Sequence, residues 1–258
     1  MNKPKNSDII QIHQNSAGYP ARLLDLYDPP NSIYIYGDIR LLDLPMVAIV
    51  GSRKASQEGI KNAHYFAQAL SAKGYLIISG LARGIDGAAH LGALGQKQDR
   101  PTIAVCGTGL DIVYPKEHQR LAQAIGSSGL LVSELEPGLG PKAWHFPRRN
   151  RIIAALALGI LVIEAAERSG SLITAKIGLE LGREIFAIPG SIHHPLSRGC
   201  HQLLQQGAKL VQSPKDILEE LENWWKGDLN PFKGLFWENL RHYKRIPKPQ
   251  NMRILDFC

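Results

Sequence analysis

The chain has 258 residues, of which 44% are hydrophobic, enough for one α/β domain with a substantial core and short appendages. Its 30 Lys and Arg against 23 Asp and Glu give a net charge of +7, which favours an anionic partner such as nucleic acid. Three scattered cysteines without metal-site spacing argue against a disulfide framework or a zinc site, and no apolar run is long enough for a signal peptide or membrane helix. We expect a soluble protein of the reducing cytoplasm, with no metal and no membrane partner.

The first segment, residues 1–45, is predicted to be an irregular lead-in, because prolines interrupt it and only the short stretch IYIYG is apolar. It is too short for a complete accessory helical domain. From residue 46 onwards, short β-rich apolar runs recur at regular intervals. The predicted strands cover residues 46–50, 75–79, 102–106, 130–134, 160–164 and 184–190, with a further short one at 208–212.

Helical patterns lie between these strands. Residues 56–73 end before Gly74, residues 171–181 end before Gly182, and a last helix begins at Pro214. Apolar strands that each lead into a helix predict a Rossmann-like, doubly wound α/β fold, with a mostly parallel sheet and helices on both faces. We assign this core to residues 46–226. Residues 227–258 are predicted to be a C-terminal tail, too short for a complete winged-helix domain.

The loops after the strands are the places to look for a ligand, because open parallel sheets bind ligands at the carboxyl ends of their strands. The first such loop begins with Gly51, Ser52 and Arg53. Glycine permits a tight turn, and backbone N–H groups, a hydroxyl and a guanidinium can then bind one phosphate together. An ordinary strand-to-helix turn is the alternative for this tripeptide.

Later loops are also small and rich in hydrogen-bond donors, and they form a candidate phosphate-binding set. Its members are Gly80, Arg83 and Gly84 after the second strand, Gly107 after the third, and Ser169, Gly170 and Ser171 after the fifth. Capping of the following helix is the alternative for Ser171. The set lacks the G-x-G-x-x-G order and the ribose-binding acid of a dinucleotide site, so no cofactor is predicted.

The stretch WHFPRRNRIIAAL places three arginines at the entrance of an apolar helix: Arg148, Arg149 and Arg151. Such charge beside a core element requires an anion against it, or side chains that extend to solvent. A bound phosphate backbone would supply the anion, and the helix dipole would add to the attraction. The alternative is that some of these arginines pair with the acidic residues Glu134, Glu136 and Glu164.

Catalytic candidates are few. Asp86 and Asp111 lie in glycine-rich loops, where a role in a turn or at a helix N-terminus is more typical than that of a general base. His90 is a lone helical histidine, and the pair His193 and His194 has no carboxylate or cysteine at ligand spacing. Neither a G-x-S-x-G elbow nor a Walker A motif occurs. The sequence predicts a binding surface and no enzyme.

Seven motifs in order resemble the DprA (Smf) family of DNA-processing proteins, from about residue 19 to residue 220. They are AIVGSR, SGLARGIDGAAH, TIAVCGTGLDIVYP, FPRRNRIIA, SGSLITA, FAIPGSI and SRGCHQLLQQGAKLV. The resemblance implies a Rossmann-like core that binds single-stranded DNA, forms a homodimer and helps to load the RecA recombinase onto incoming DNA during natural transformation. It implies no catalytic activity. It also suggests that the dimer forms around the helices after Ser197 and Pro214.

The resemblance assigns roles to individual residues. Arg53 is the expected phosphate-binding arginine, with Gly51 and Ser52 shaping its loop, and Lys142 is an expected DNA contact. Lys116 is a further expected phosphate contact. The residues of the FPRRNR motif are expected beside the groove: Phe146, Arg148, Arg149, Asn150 and Arg151. Phe146 or Trp144 would offer a surface for a base.

A nucleotide-processing enzyme on a related fold is the alternative function. The stretch SGSLITAKIGLE, with Thr174 and Glu180, distantly resembles the motif by which such enzymes hydrolyse nucleoside monophosphates, but its spacing differs. A dinucleotide-dependent oxidoreductase is a third hypothesis, and the missing G-x-G-x-x-G motif argues against it.

Overall fold

The computed structural model describes residues 8–95 and 101–226, and these form a nine-stranded sheet. The strands are β1 (Ile10–His13), β2 (Ser32–Gly37), β3 (Met46–Val50), β4 (Leu76–Ser79), β5 (Thr102–Cys106), β6 (Leu130–Ser133), β7 (Gly159–Val162), β8 (Glu184–Ala187) and β9 (Lys209–Leu210). They lie in the order β1-β2-β6-β5-β4-β3-β7-β8-β9. Every neighbouring pair in the part of the sheet that runs β6-β5-β4-β3-β7-β8-β9 is parallel. The strand β2 pairs antiparallel with β1 and with β6. The predicted α/β class with a mostly parallel sheet is confirmed.

The described residues form seven α-helices, of which α1 to α6 connect successive strands and α7 follows β9. They are α1 (Gln57–Ala72), α2 (Ile85–Leu94), α3 (Gln119–Ser128), α4 (His145–Leu156), α5 (Gly170–Glu180), α6 (Arg198–Gln205) and α7 (Pro214–Lys226). Ser56 caps α1 by accepting a hydrogen bond from the N–H of Gly59 (3.0 Å), and Gly74 follows the helix with φ +95°. In this part of the chain, no helix is long and apolar enough to cross a membrane.

Alternation along the strands places helices on both faces of the sheet. In β3, Val47 and Ile49 pack with apolar residues of α1, α2 and α7, whereas Ala48 and Val50 pack with α4, α5 and α6 on the opposite face. Successive side chains of a strand point to opposite faces, so a fully apolar strand requires cover on both. The predicted doubly wound arrangement is confirmed.

The direction of winding reverses beside β3. From β3 the chain builds β4, β5 and β6 outward on one side, then returns through α4 to place β7 on the other side of β3. The carboxyl ends of β3 and β7 therefore flank a topological switch point, where two loops leave the sheet in opposite directions and open a crevice. The loop with Arg53 follows β3, and the loop with Glu164 and Ser169 follows β7.

Residues 8–45 differ from the predicted irregular lead-in, because they supply two strands to the sheet. In β2, Ile33 and Ile35 are fully buried, and the strand extends the sheet beyond β6. The segment is also attached to the end of α4, where Arg22 donates a hydrogen bond to the carbonyl of Leu156 (3.0 Å). Arginines at this position satisfy helix carbonyls that lack an intrahelical partner. The predicted C-terminal tail lies outside the described residues.

His90 makes a hydrogen bond in the core, and its burial leads us to expect that the folded protein loses stability in acid. It is fully buried, with its Nδ1 2.9 Å from the Thr102 hydroxyl, and burial lowers its pKa from 6.5 to about 3. Between these values the unfolded chain binds the proton and the folded chain does not. Stability present above pH 6.5 is therefore lost as the pH falls, by about 2 kcal/mol between pH 7 and pH 5.

Urea unfolding at both pH values would measure this loss. His90→Asn keeps a hydrogen-bond donor but does not titrate, so the variant should lose about 2 kcal/mol less than the wild type over the same interval. Equal losses in the two proteins would contradict the assignment.

Candidate functional site

The loop after β3 is held tightly at the switch point. A Cβ on Gly51 would lie 2.7 Å from Cγ1 of Ile85 and 2.8 Å from the carbonyl oxygen of Glu164, so only glycine fits there. The N–H of Ser52 donates to the Glu164 carbonyl (2.8 Å), and the Ser52 carbonyl accepts from the N–H of Ile85 (3.2 Å). Both backbone groups of Ser52 are thus used inside the protein. The next residue, Arg53, is exposed.

Arg53 lies beside the ring of Phe146, which in turn packs near Tyr114. Its guanidinium carbon is 5.1 Å from the ring centroid of Phe146, a residue in the first turn of α4. The Phe146 ring packs against Gly107, where a Cβ would lie 2.8 Å from the ring, and its centroid is 5.4 Å from that of Tyr114. The Tyr114 side chain is 44% exposed. A cation and two aromatic rings therefore form one continuous surface.

Tyr114 is a member of this surface that sequence reasoning missed. It precedes Pro115 and Lys116 in the loop after β5, and an aromatic residue two positions before an exposed lysine was the available signal. Lys116 and Lys142 are both exposed, on the loops after β5 and β6. Neither lysine, nor Arg53, forms an ion pair with any residue that the structure describes. Positive charge at these loops is therefore free to attract an anion.

Two of the three arginines of the FPRRNR motif share one carboxylate. Arg148 forms a two-point ion pair with Glu134, with Nη2–Oε1 at 2.8 Å and Nε–Oε2 at 3.1 Å. Arg151 donates to the same carboxylate from Nη2 (2.6 Å) and to the carbonyl of Asp28. The pairing alternative is confirmed for these two residues. Two guanidinium groups around one carboxylate still leave a net positive charge at this cluster.

The structure does not bring Arg149 to the predicted groove. Its side chain is only 6% exposed and donates to the carbonyls of Gly80 and Val105, at the ends of β4 and β5. A Cβ on Gly80 would collide with the guanidinium, which explains the glycine at this position. Asp86, also buried, attracts the guanidinium. Arg149 is thus a core residue that ties strand ends together.

Asn150 and the serines after β7 organise the start of α5. Asn150 accepts a hydrogen bond from Nε of Arg149 (3.1 Å) and donates to the carbonyl of Gly170 (3.2 Å). Ser169 is the N-cap, because its hydroxyl accepts from the N–H of Ser171 (3.3 Å), and the Ser171 side chain is buried. The residue that caps α5 is therefore Ser169, and not Ser171 as the capping alternative predicts. Gly170 is exposed at the helix start.

The remaining residues of the candidate phosphate-binding set have different surroundings. Gly84 has φ +70°, and a Cβ on it would collide with the carbonyl of Ser52, so it allows the loops after β3 and β4 to cross. Arg83 is exposed but is ion-paired with Glu117. Arg53, like Arg168 in the loop after β7, is exposed and forms no ion pair with a residue that the structure describes.

The catalytic candidates take structural positions. Asp86 accepts a hydrogen bond from the N–H of Ala82 (3.3 Å), and burial raises the pKa of its carboxyl. Asp111 accepts from the N–H of Gly138 through both oxygens (2.8 and 3.0 Å) and joins two loops. Burial raises the pKa of Cys106 to about 11. Within residues 8–95 and 101–226, no group of three His, Cys, Asp or Glu side chains is placed to hold a metal ion.

Comparison with known proteins identifies the family. The family model described as DNA recombination-mediator protein A matches residues 10–222. The chain is 51% identical to the DNA processing protein DprA of Streptococcus pneumoniae over 204 residues, which cover 79% of this chain and 71% of that protein. It is 47% identical to the protein Smf of Escherichia coli, over 82% of this chain and 56% of that relative.

Two solved structures share the fold. The X-ray structure of DprA from Streptococcus pneumoniae superimposes with a TM-score of 0.79 and 48% identity, over 82% of this chain and 74% of that one. The DNA processing protein A of Helicobacter pylori, described as having a unique single-stranded DNA binding mode, superimposes with a TM-score of 0.75 and 29% identity. It is covered to 96%, against 83% of this chain. The chain belongs to the DNA recombination-mediator protein A family, the DprA or Smf proteins.

Proposed function

We propose that the chain binds single-stranded DNA in DNA processing, through a surface formed by Arg53, Phe146, Tyr114, Lys116 and Lys142, here called the Arg53 surface. The observation that carries this proposal is the exposed Arg53 guanidinium 5.1 Å from the Phe146 ring. Proteins that bind single strands combine cations that follow the phosphate backbone with aromatic rings on which bases stack. The Helicobacter pylori relative, described by its single-stranded DNA binding mode, supports the same ligand.

The chemistry of the Arg53 surface predicts recognition that is largely independent of base sequence. A guanidinium and two ammonium groups interact with phosphates that are common to every nucleotide, and the rings of Phe146 and Tyr114 offer π faces suited to any base. Affinity should therefore fall steeply with salt. The slope of log affinity against log salt should be about −0.7 for each phosphate neutralised.

Fluorescence anisotropy with a labelled thymidine oligomer, a duplex of equal length and thymidine monophosphate tests the proposal. We expect the oligomer to bind more tightly than the duplex, and far more tightly than the mononucleotide, at every salt concentration. Tight binding of the mononucleotide, with release of free base, would support the nucleotide-processing alternative. Equal affinity for single strands and duplex would contradict the single-strand assignment.

We expect stacking of bases on the Phe146 ring to contribute to single-strand affinity, and this contribution can be measured separately from that of charge. Phe146→Leu keeps an apolar side chain against Gly107 but removes the ring, so we expect single-strand affinity to fall by about 1–3 kcal/mol with an unchanged salt slope. The matched control is Tyr65→Leu, which removes a ring that is 53% exposed on α1. An unchanged affinity in Phe146→Leu would remove base stacking from the proposal.

We also propose that the protein forms a homodimer, helps to load RecA onto DNA during natural transformation, and acts by binding without catalysis. A cleft of about 600 Å³ between α5, β8 and α6 supports a self-association face. Its lining combines apolar residues, among them Leu172, Leu179 and Leu203, with charged and amide side chains, and Leu179 is 60% exposed. Exposed apolar surface of this kind typically marks an interaction site. The α6 helix belongs to the region that the resemblance suggests for the dimer.

Leu179→Lys should convert a dimer into a monomer, because it places a charge in the apolar part of this face. Light scattering after size exclusion would distinguish a monomer of 28.4 kDa from a species of twice that mass. The control is Leu91→Lys, at a residue of α2 that is 42% exposed on the other face of the sheet. A monomeric wild type, or a dimer that survives Leu179→Lys, would contradict this face.

A further inference from the structure

Glu164 contacts both ends of the loop that carries Arg53. It follows β7 at the switch point, and its backbone carbonyl accepts a hydrogen bond from the N–H of Ser52 (2.8 Å). Its carboxylate accepts two hydrogen bonds from Ser56, one from the N–H (2.9 Å) and one from the hydroxyl (2.5 Å). Arg53 lies between these two anchored serines, so Glu164 fixes the path of the loop on either side of it.

The carboxylate of Glu164 takes a position that sheets of this type offer to a ligand. In such sheets, the N-terminus of the helix that follows the first parallel strand can bind an anion, because its N–H groups are unpaired and the helix dipole is positive there. In this chain that strand is β3 and that helix is α1. Here the N–H of Ser56 at the start of α1 faces a carboxylate of the protein itself. Gly59 leaves room for it, because a Cβ at that position would lie 2.5 Å from the Glu164 carboxyl carbon.

Burial strengthens this arrangement. Glu164 is only 9% exposed, and hydrogen bonds to a charged acceptor away from water are stronger than those at the surface. The loop is therefore ordered on folding and does not depend on an added phosphate. A cation held in place before binding avoids part of the ordering entropy that association would otherwise require.

We propose that Glu164 is a positioning residue, which preorganises Arg53 for a DNA phosphate by supplying the anion at the N-terminus of α1. This inference rests on the proposed function, in which Arg53 contacts single-stranded DNA. It makes a prediction opposite to that of simple electrostatics. Removal of a negative charge near a polyanion site should strengthen binding, whereas removal of Glu164 should weaken it.

The test compares Glu164→Ala with Glu167→Ala, a control that removes the same charge three residues along. Glu167 is exposed and its described partner is Arg198, at 3.5 Å. Affinity for a labelled thymidine oligomer should fall about threefold to tenfold in Glu164→Ala, should be unchanged or slightly higher in Glu167→Ala, and should be partly restored in Glu164→Gln. Glutamine keeps an acceptor for the Ser56 N–H and a group that can bond its hydroxyl.

A double-mutant cycle with Arg53→Ala separates positioning from a general structural effect. If Glu164 acts through Arg53, Glu164→Ala should change affinity less than about twofold in the Arg53→Ala background. A loss that persists undiminished in that background overturns the inference, as does wild-type affinity in Glu164→Ala alone.

Hydrogen exchange measured by mass spectrometry tests the loop without DNA. Amide exchange in the peptide covering residues 51–60 should accelerate in Glu164→Ala and not in Glu167→Ala, and unchanged exchange would overturn the inference whatever the DNA result. If the wild type fails to bind single strands, or if Arg53→Ala binds as well as the wild type, the proposed function fails. The exchange result then still decides whether Glu164 orders the loop.

Discussion

Replacement of Arg53 by alanine should weaken binding of single-stranded DNA about tenfold to a hundredfold. A guanidinium bound to a phosphate makes charge-assisted hydrogen bonds, each worth about 1.5–3 kcal/mol when it is lost. The substitution also removes the cation beside the Phe146 ring, 5.1 Å from its centroid. Because one phosphate contact disappears, the salt slope should become shallower by about 0.7. Anisotropy titrations of both proteins across a salt series would measure both quantities.

Two variants control for loss of charge alone. Arg83→Ala removes an exposed guanidinium from the neighbouring loop, but one that is already paired with Glu117, so its effect should be small. Arg53→Lys keeps the charge and loses the planar fork, and should fall between the wild type and Arg53→Ala. If Arg53→Ala and Arg83→Ala weaken binding equally, the protein attracts DNA by net charge and the Arg53 surface is not its binding site.

Replacement of Arg149 by methionine should destabilise the fold by about 3–5 kcal/mol, because it removes a buried charge together with its hydrogen bonds and leaves the groups around it uncompensated. The substitution leaves the carbonyls of Gly80 and Val105 without their donor and Asp86 without the buried positive charge that attracts it. Urea unfolding monitored by circular dichroism would give the change in free energy of unfolding. Methionine is chosen because it fills much of the volume without a charge.

Arg148→Met is the matched control, at the adjacent residue of α4. Arg148 is 47% exposed in its side chain and pairs with Glu134 at the surface, so its replacement should change stability by less than about 1 kcal/mol. An Arg149→Met protein of normal stability that has lost DNA affinity would restore the surface role predicted from the sequence.

The contrast between these neighbours shows where sequence reasoning ends. Adjacent residues of a helix point about 100° apart, so Arg148 reaches solvent while Arg149 enters the core. The sequence shows the charges but does not show which side of α4 faces the sheet. Glu134 was among three candidate partners, and only the fold places its carboxylate between Arg148 and Arg151.

The parallel core was predictable for a different reason. Each strand from β3 to β8 is a continuous apolar run followed by a helix, and β3 and β5 begin and end at the predicted residues. By contrast, β1 has four residues with one buried, and its partner β2 lies about twenty residues further along the chain. A strand this short carries little pattern of its own, and pairing with a distant segment decides whether it forms. Tyr114 was missed for a related reason, since its place beside Phe146 depends on contacts between loops.

The residues tolerated at position 80 and at position 149 depend on each other. No side chain fits at Gly80 while the guanidinium of Arg149 lies against it. Gly80 can therefore be substituted only after Arg149 has been replaced by a smaller residue. Replacing Arg149 first destabilises the fold, because the carbonyls of Gly80 and Val105 lose their donor and Asp86 loses the buried positive charge that attracts it. The two sites are therefore epistatic in both orders. Across diverging members of the family they should be retained together or exchanged together, and the same reasoning links Gly59 to Glu164.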